Sequence, residues 1–189
     1  KTLFVINSNK EDTTIIRDEN FGADDEFQYA LENTKVDKSE KILRSSITNN
    51  ITAAQSLELG GEIAINKFDK AFTDNRRENA VDEFAVQSNA DVEIKENRYE
   101  IFANHTYNIS PKVVLQSSLT AEFSKIVANS LVTNTTRDTN FTYLKPRVNL
   151  RYDMTNSDQL RFTAEKIVSQ LNFNNFVTSF DQRTDQLVF

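Results

Sequence analysis

Residues 56–66, which read SLELGGEIAIN, alternate between apolar and polar side chains along their whole length. The two rows are Leu57, Leu59, Gly61, Ile63 and Ile65 on one side, and Glu58, Gly60, Glu62, Ala64 and Asn66 on the other. Successive side chains of a β-strand point to opposite faces of the sheet. The stretch therefore predicts a strand with one apolar face and one acidic, polar face.

The same alternation recurs in two predicted hairpins. The first joins residues 98–109 to residues 113–124 through a tight turn at Pro111, which presets φ and cannot donate to a strand ladder. The second hairpin, with its turn at residues 153–158, joins residues 142–152 to residues 160–168. Shorter or less regular alternating runs precede both hairpins, at residues 3–6, 14–16, 27–31 and 41–52.

Connections of two lengths alternate along these strands. The short ones are residues 50–55, 110–112 and 153–158, and the long polar ones are residues 33–39, 67–96 and 127–140. Outer-membrane barrels show this asymmetry, with short periplasmic turns and longer extracellular loops. Strands of about ten tilted residues span roughly 23 Å, close to the ~25 Å apolar band of such barrels. The pattern predicts an all-β, antiparallel up-and-down meander of about eight strands, which suits part of a transmembrane β-barrel and, equally, a soluble fold.

A soluble fold is the alternative. A soluble β-sandwich or a lipocalin-like barrel also uses alternating strands, with the apolar face turned toward an internal core. Periodicity does not separate the two, because it says nothing about which face meets water. A weaker alternative is a carbohydrate-active enzyme on a β scaffold.

Composition excludes several classes of function. The 189 residues include no cysteine and one histidine, which rules out disulfide scaffolds and thiolate zinc sites and disfavours histidine metal sites or catalytic triads. A net charge of −6 disfavours a general nucleic-acid binder. No apolar run approaches the ~20 residues of a membrane-spanning helix. The composition predicts no catalytic residue, no metal site and no cofactor, and a protein that is not an enzyme.

Several ordered blocks resemble the barrel of TonB-dependent outer-membrane receptors. They are residues 56–62 (SLELGGE), 96–102 (ENRYEIF), 140–152 (NFTYLKPRVNLRY), 159–166 (QLRFTAEK) and 168–176 (VSQLNFNNF). The resemblance covers residues 39–189, whereas residues 1–38 show only short strand-like runs. The chain departs from the family pattern in having only 3 Gly and no Trp. We interpret residues 1–189 as a partial outer-membrane β-barrel domain.

The resemblance implies energised uptake of a scarce nutrient such as an iron chelate, cobalamin or an oligosaccharide. Such a barrel has about 22 strands around a plug domain, and the sequence contains no plug-like segment. The implied partners are the plug, the remaining barrel strands, the TonB complex acting through the plug, outer-membrane lipid and the substrate, with no nucleic acid. The start at Lys1 and the end at Phe189 suit a fragment, whose open edge strands favour self-association.

In the barrel interpretation the polar face lines the lumen. The residues that we expect to point into the lumen are Glu58, Glu62, Arg98, Glu100, Asn104, Glu122, Arg147, Arg151, Arg161 and Glu165. They either contact a plug and line a substrate path, or form cross-strand ion pairs in a wet interior. Pairs of glutamates occur on any polar strand face, so they do not indicate a glycosidase.

The long connection at residues 67–96 is the candidate for extracellular ligand capture. It contains Arg76, Arg77 and Phe84, and loops held on a rigid scaffold often carry binding function. His105 falls on the apolar row, where we expect an interfacial position in an aromatic belt rather than a metal ligand.

Overall fold

The first seven strands of the sheet follow one another in chain order. The computed structural model describes residues 1–20, 27–77, 82–155, 157–168, 173, 179–181 and 186–188. Its strands are β1 (Thr2–Asn20), β2 (Phe27–Thr52), β3 (Gln55–Arg77), β4 (Ala85–Ser110), β5 (Val113–Ser130), β6 (Thr135–Asp153), β7 (Gln159–Glu165), β8 (Ser179–Asp181) and β9 (Gln186–Val188). Among these residues, no helix is long and apolar enough to cross a membrane.

Each strand from β1 to β6 pairs antiparallel with the next, which confirms the predicted all-β meander. The three-residue strand β8 adds to β4 where β4 extends past the end of β5, and β9 pairs with β8.

The predicted tight turns are confirmed and lie side by side at one end of the sheet, which we call the short-turn end. The N–H of Asn108 donates to the carbonyl of Ala54, and the N–H of Asp153 donates to the carbonyl of Lys112, each at 2.8 Å. These bonds join each turn to the strand end beside it. The opposite end is called the far end.

The predicted long loops are wrong, because most of their residues belong to strands. Residues 33–39 lie inside β2, and residues 67–96 are divided between β3, β4 and the short connection between them. Likewise, residues 127–140 belong mainly to β5 and β6. The strands are therefore much longer than predicted, reaching 26 residues in β2 and β4.

A change in the phase of the alternation explains this error. In β3 the apolar residues occupy odd positions as far as Ile65 and an even position at Phe68. The same change separates Ile94 from Tyr99 in β4, and comparable residues in β5. Period two persists through the polar segments, but the apolar side chains there point to the opposite face.

All buried residues that the structure describes lie on one face of the sheet, which we call the inner face. They are Ala30, Ala64, Asn66, Phe68, Asp74, Ala90, Val92, Ile94, Glu96, Phe102, Glu122, Ser124, Ile126 and Ala128. The inner face carries a hydrophobic cluster toward the far end, formed by Phe68, Val92, Ile94, Ile126 and Ala128. Nearer the short-turn end the inner face is polar.

On the opposite, outer face the apolar side chains lie near the short-turn end and the polar ones toward the far end. Near the short-turn end it exposes an apolar band that includes Phe4, Leu43, Ile47, Leu59, Ile63, Ile65, Tyr99, Ile101, Leu119, Phe123, Leu144, Val148, Leu160 and Phe162. Between Tyr99 and Ile109 the strand rises about 34 Å, which a tilt of ~45° reduces to about 24 Å. The apolar band therefore has the height of a membrane's hydrocarbon region, and the strands continue beyond it toward the far end.

Candidate functional site on the inner face of the apolar band

The strand register brings every predicted lumen residue to the inner face, behind the apolar band. Glu62, Glu100 and Glu122 form one row across three strands. On the last two strands of the meander, Arg147 pairs with Glu165 and Arg151 with Arg161. The remaining predicted residues, Glu58, Arg98 and Asn104, occupy the same face.

The first charged cluster holds the carboxylate of Glu62 between two guanidinium groups. Arg44 Nη1 lies 3.2 Å from Glu62 Oε2, and Arg98 Nη2 lies 3.2 Å from Glu62 Oε1. The Glu62 side chain is only 11% exposed. Sequence reasoning missed Arg44, because its strand alternates irregularly there.

The second cluster holds one ammonium group between two carboxylates. Lys145 Nζ lies 2.8 Å from Glu100 Oε1 and 2.6 Å from Glu122 Oε2. Together the two clusters contain three cations and three carboxylates, so their formal charges cancel. Ionised groups behind an apolar band are tolerated where they pair with one another or line a wet cavity. Sequence reasoning also missed Lys145, since only the register places it between two glutamates.

A glycine and an aromatic ring support the first cluster. Gly60 lies opposite Phe102, and a Cβ at Gly60 would collide with that ring and approach the Ser45 carbonyl oxygen to 2.6 Å. The Arg44 guanidinium carbon lies 4.1 Å from the centroid of the Phe102 ring. The missing side chain at Gly60 thus makes room for Phe102, and Phe102 in turn supports Arg44.

A buried carboxylate marks the limit of the polar region of the inner face on the side of the far end. Glu96 is 4% exposed and accepts hydrogen bonds from Asn66 Nδ2 at 2.8 Å and from Ser124 Oγ at 2.7 Å. Both donors are uncharged. The hydrophobic cluster begins beside Glu96, since its register partner on β5 is Ile126, and it continues in the next row toward the far end with Phe68 and Ile94.

A cavity of about 350 Å³ opens near the short-turn end, partly lined by Glu58, Asn104, Ser118 and Arg147. Asn104 Nδ2 donates to Glu58 Oε2 at 2.9 Å. Amide, hydroxyl, carboxylate and guanidinium groups together suit polar contacts with a hydrated solute. Within the described ranges, no group of three acidic, histidine or cysteine side chains is placed to hold a metal ion.

The residues predicted for ligand capture lie at the far end. The Arg77 guanidinium carbon lies 4.6 Å from the ring centroid of Phe84 and 5.0 Å from that of Tyr29. Arg76 Nε lies 3.0 Å from Asp74 Oδ2. The structure therefore brings Arg77 and Phe84 together and adds Tyr29, whereas residues 78–81 of the connection lie outside the described residues.

Two further predictions concern His105 and the block at residues 168–176. His105 lies on the outer face near the short-turn end, where its Nε2 is 3.1 Å from Gln55 Oε1 and its ring centroid is 6.3 Å from that of Tyr107. The expected interfacial position of His105 stays a prediction. Most of the block at residues 168–176 lies outside the described residues, but Phe173 packs on Phe68 with ring centroids 5.9 Å apart.

Comparison with known proteins gives a family and a likeness to solved structures. A family model described as "Outer membrane protein beta-barrel family" matches residues 2–187. The crystal structure of the ferric citrate transporter FecA in the unliganded form matches with 11% identity and a TM-score of 0.49, over 86% of this chain and 24% of that chain. The chain thus spans about a quarter of the transporter's length. A search of the curated proteins gives no match.

Proposed function

The chain belongs to the outer membrane protein beta-barrel family and is located in the outer membrane, and on this basis we propose that it is part of the barrel wall of a TonB-dependent receptor. The receptor takes up a scarce nutrient, such as an iron chelate, cobalamin or an oligosaccharide. Membership of this family contradicts the soluble β-sandwich and lipocalin-like alternatives.

The observation that carries the proposal is the balanced charge network on the inner face, directly behind an exposed apolar band. A soluble sheet of this kind would bury the apolar side chains and expose the charges. Here Ile101 is 63% exposed, whereas the Glu122 side chain on the inner face is only 12% exposed. A wall between lipid and a polar lumen requires this arrangement.

The barrel wall has a structural role in the proposed mechanism. It supplies a polar lumen that holds the plug and passes the solute, while force from the TonB complex acts on the plug. The chain provides only part of such a barrel, since β1 has a described partner on one side only. The remaining strands of the barrel complete the wall, and the isolated chain is expected to self-associate through its open edges.

The orientation of the chain across the outer membrane follows from the difference between the two ends of the sheet. In outer-membrane barrels the short turns face the periplasm, so the far end faces the outside of the cell. Arg77, Phe84 and Tyr29 then lie where an incoming ligand first meets the barrel. A cation with two aromatic rings suits a ligand with aromatic, anionic or saccharide groups.

The proposal is tested by uptake into cells that express the full barrel protein carrying this chain. Radiolabelled iron chelates, cobalamin and oligosaccharides are each supplied at scarce concentrations, with and without a functional TonB complex. We expect one of them to accumulate only when the TonB complex is functional. Equal accumulation in both strains for every nutrient, or none in either, would overturn the proposal.

A further inference from the structure

The outer face changes from mainly apolar to mainly charged within about two neighbouring rows on β2 to β5. Ile65, Asn97 and Lys125 are register partners on β3, β4 and β5. On the short-turn side of this row lie Ile63, Tyr99 and other residues of the apolar band. Because the change occurs at nearly one level rather than at a different height on each strand, it marks the edge of the membrane's hydrocarbon region.

Lysines occupy the outer face immediately beyond this edge, on four neighbouring strands. In the boundary row β2 and β5 each carry a lysine, and in the next row β3 and β4 each carry one. We call this set the lysine belt; its members are Lys41, Lys67, Lys95 and Lys125. The ammonium groups can reach solvent, since the side chains of Lys67, Lys95 and Lys125 are 42%, 53% and 51% exposed.

The acidic residues of the outer face lie farther from the apolar band. Lys67 Nζ is 2.7 Å from Asp69 Oδ2, and Lys95 Nζ is 2.7 Å from Glu93 Oε1, both one row farther out. Lys125 Nζ likewise lies 2.8 Å from Asp138, whose row is also beyond the boundary. Cations therefore adjoin the apolar band, while anions face the water.

This order of charges matches the layers of an anionic lipid surface. Phosphate headgroups lie directly outside the acyl chains, so cations at that level are attracted and anions are repelled. Long lysine side chains can extend toward the headgroups while their stems cover apolar surface. Exposed ion pairs of the kind seen here are weak, so a lysine can exchange its carboxylate partner for a phosphate.

We propose that the lysine belt binds the phosphate headgroups of anionic lipid in the leaflet nearest the far end. The inference rests on the location of the chain in the outer membrane and not on nutrient uptake. Loss of lipid preference and loss of uptake are therefore separate results.

The test uses the full barrel protein that carries this chain, purified in an uncharged detergent. Phosphatidylglycerol and phosphatidylcholine with identical acyl chains are added in turn, and bound lipid is counted by native mass spectrometry. We expect the unaltered protein to retain several-fold more phosphatidylglycerol. The combined variant K41Q/K67Q/K95Q/K125Q should lose this preference, and the matched arginine variant K41R/K67R/K95R/K125R should keep it.

The control is K10Q/K35Q, which removes two outer-face lysines that lie farther from the apolar band. We expect it to keep the preference for phosphatidylglycerol. Retained preference in the belt variant, or equal loss in the belt and control variants, would overturn the proposal. Circular dichroism of each variant establishes that the strands remain folded. Should the glutamine variant not fold, the arginine variant still tests the proposal, because loss of the preference there would overturn it.

Discussion

Gly60 and Phe102 lie opposite each other on β3 and β4, and the ring of Phe102 fills the space that a side chain at position 60 would occupy. The Arg44 guanidinium carbon lies 4.1 Å from the centroid of that ring. The absence of a Cβ at Gly60 therefore leaves the space in which a buried aromatic residue and an arginine of the first charged cluster pack.

Replacing Gly60 with alanine should destabilise the barrel. The added Cβ would meet both the Phe102 ring and the Ser45 carbonyl, and overpacking of this kind costs about 1–3 kcal/mol. Gly61→Ala is the matched control, because its Cβ would meet only the Glu100 carbonyl oxygen at 3.2 Å. Urea unfolding in lipid vesicles measures both, and equal free energies of unfolding for the two variants would contradict the packing argument.

Removing the amine of Lys145 should leave two carboxylates close together without the one cation that contacts both. We expect K145M to lower the free energy of unfolding by about 2 kcal/mol or more, since breaking a largely buried ion cluster leaves uncompensated charge. Lys125→Met is the control, because that exposed lysine pairs with Asp138 and such pairs contribute less than ~1 kcal/mol. The triple variant E100Q/E122Q/K145M should recover much of the loss. A similar loss in K125M and K145M would refute this account.

A charge in the apolar band should cost more than a charge at its edge. Ile101 faces outward within the band, so we expect I101K to make folding into vesicles less favourable by about 2–4 kcal/mol. The variant N97K, at the boundary row, should make folding less favourable by at most about 1 kcal/mol. Reversible folding titrations in phosphatidylcholine vesicles measure the difference. Equal costs would mean that the membrane edge does not lie at this row.

The residues Arg77 and Phe84 should contribute to ligand capture if the proposed uptake function is right. We expect R77M and F84A each to weaken ligand binding to intact cells by about tenfold, as lost cation–π and stacking contacts would predict. Deleting residues 74–89 should abolish uptake. Leu131→Ala, in the connection between β5 and β6 at the far end, is the control and should bind ligand normally; unchanged binding in R77M and F84A would remove these residues from the site.

The pKa of Glu93, outside the membrane, is lowered chiefly by the hydrogen bond from Lys95, with a further contribution from Lys67 and partial opposition from burial. A lowered pKa in the folded state means that this carboxylate stabilises the fold above its unfolded pKa, and that the contribution is lost as pH falls through the folded pKa. We expect K95M to shift the pKa of Glu93 back toward its ordinary value. Carbon-13 NMR titration of the Glu93 carboxyl group measures the shift, and an unchanged midpoint would show that Lys95 is not the cause.

Much of the candidate site was predictable from the sequence, because residues two apart on a strand share a face. That rule placed Glu58 and Glu62 together, and the register then joined them to Glu100 and Glu122 on the same face. The partners Arg44 and Lys145 were not predictable, because each comes from another strand and its position depends on the pairing register.

The sequence by itself determined the all-β class, the tight turns and the residues that share a face within each strand. These are local properties, set by period-two alternation and by the backbone preferences of turn residues. The tertiary structure alone decided how long the strands are and where both faces change character. At Ile65 and Phe68 the alternation changes phase, which resembles a loop when one strand is considered alone. Only the register across β3, β4 and β5 aligns these changes at nearly one level, because hydrogen bonding and lipid contact act on the whole sheet rather than on a single strand.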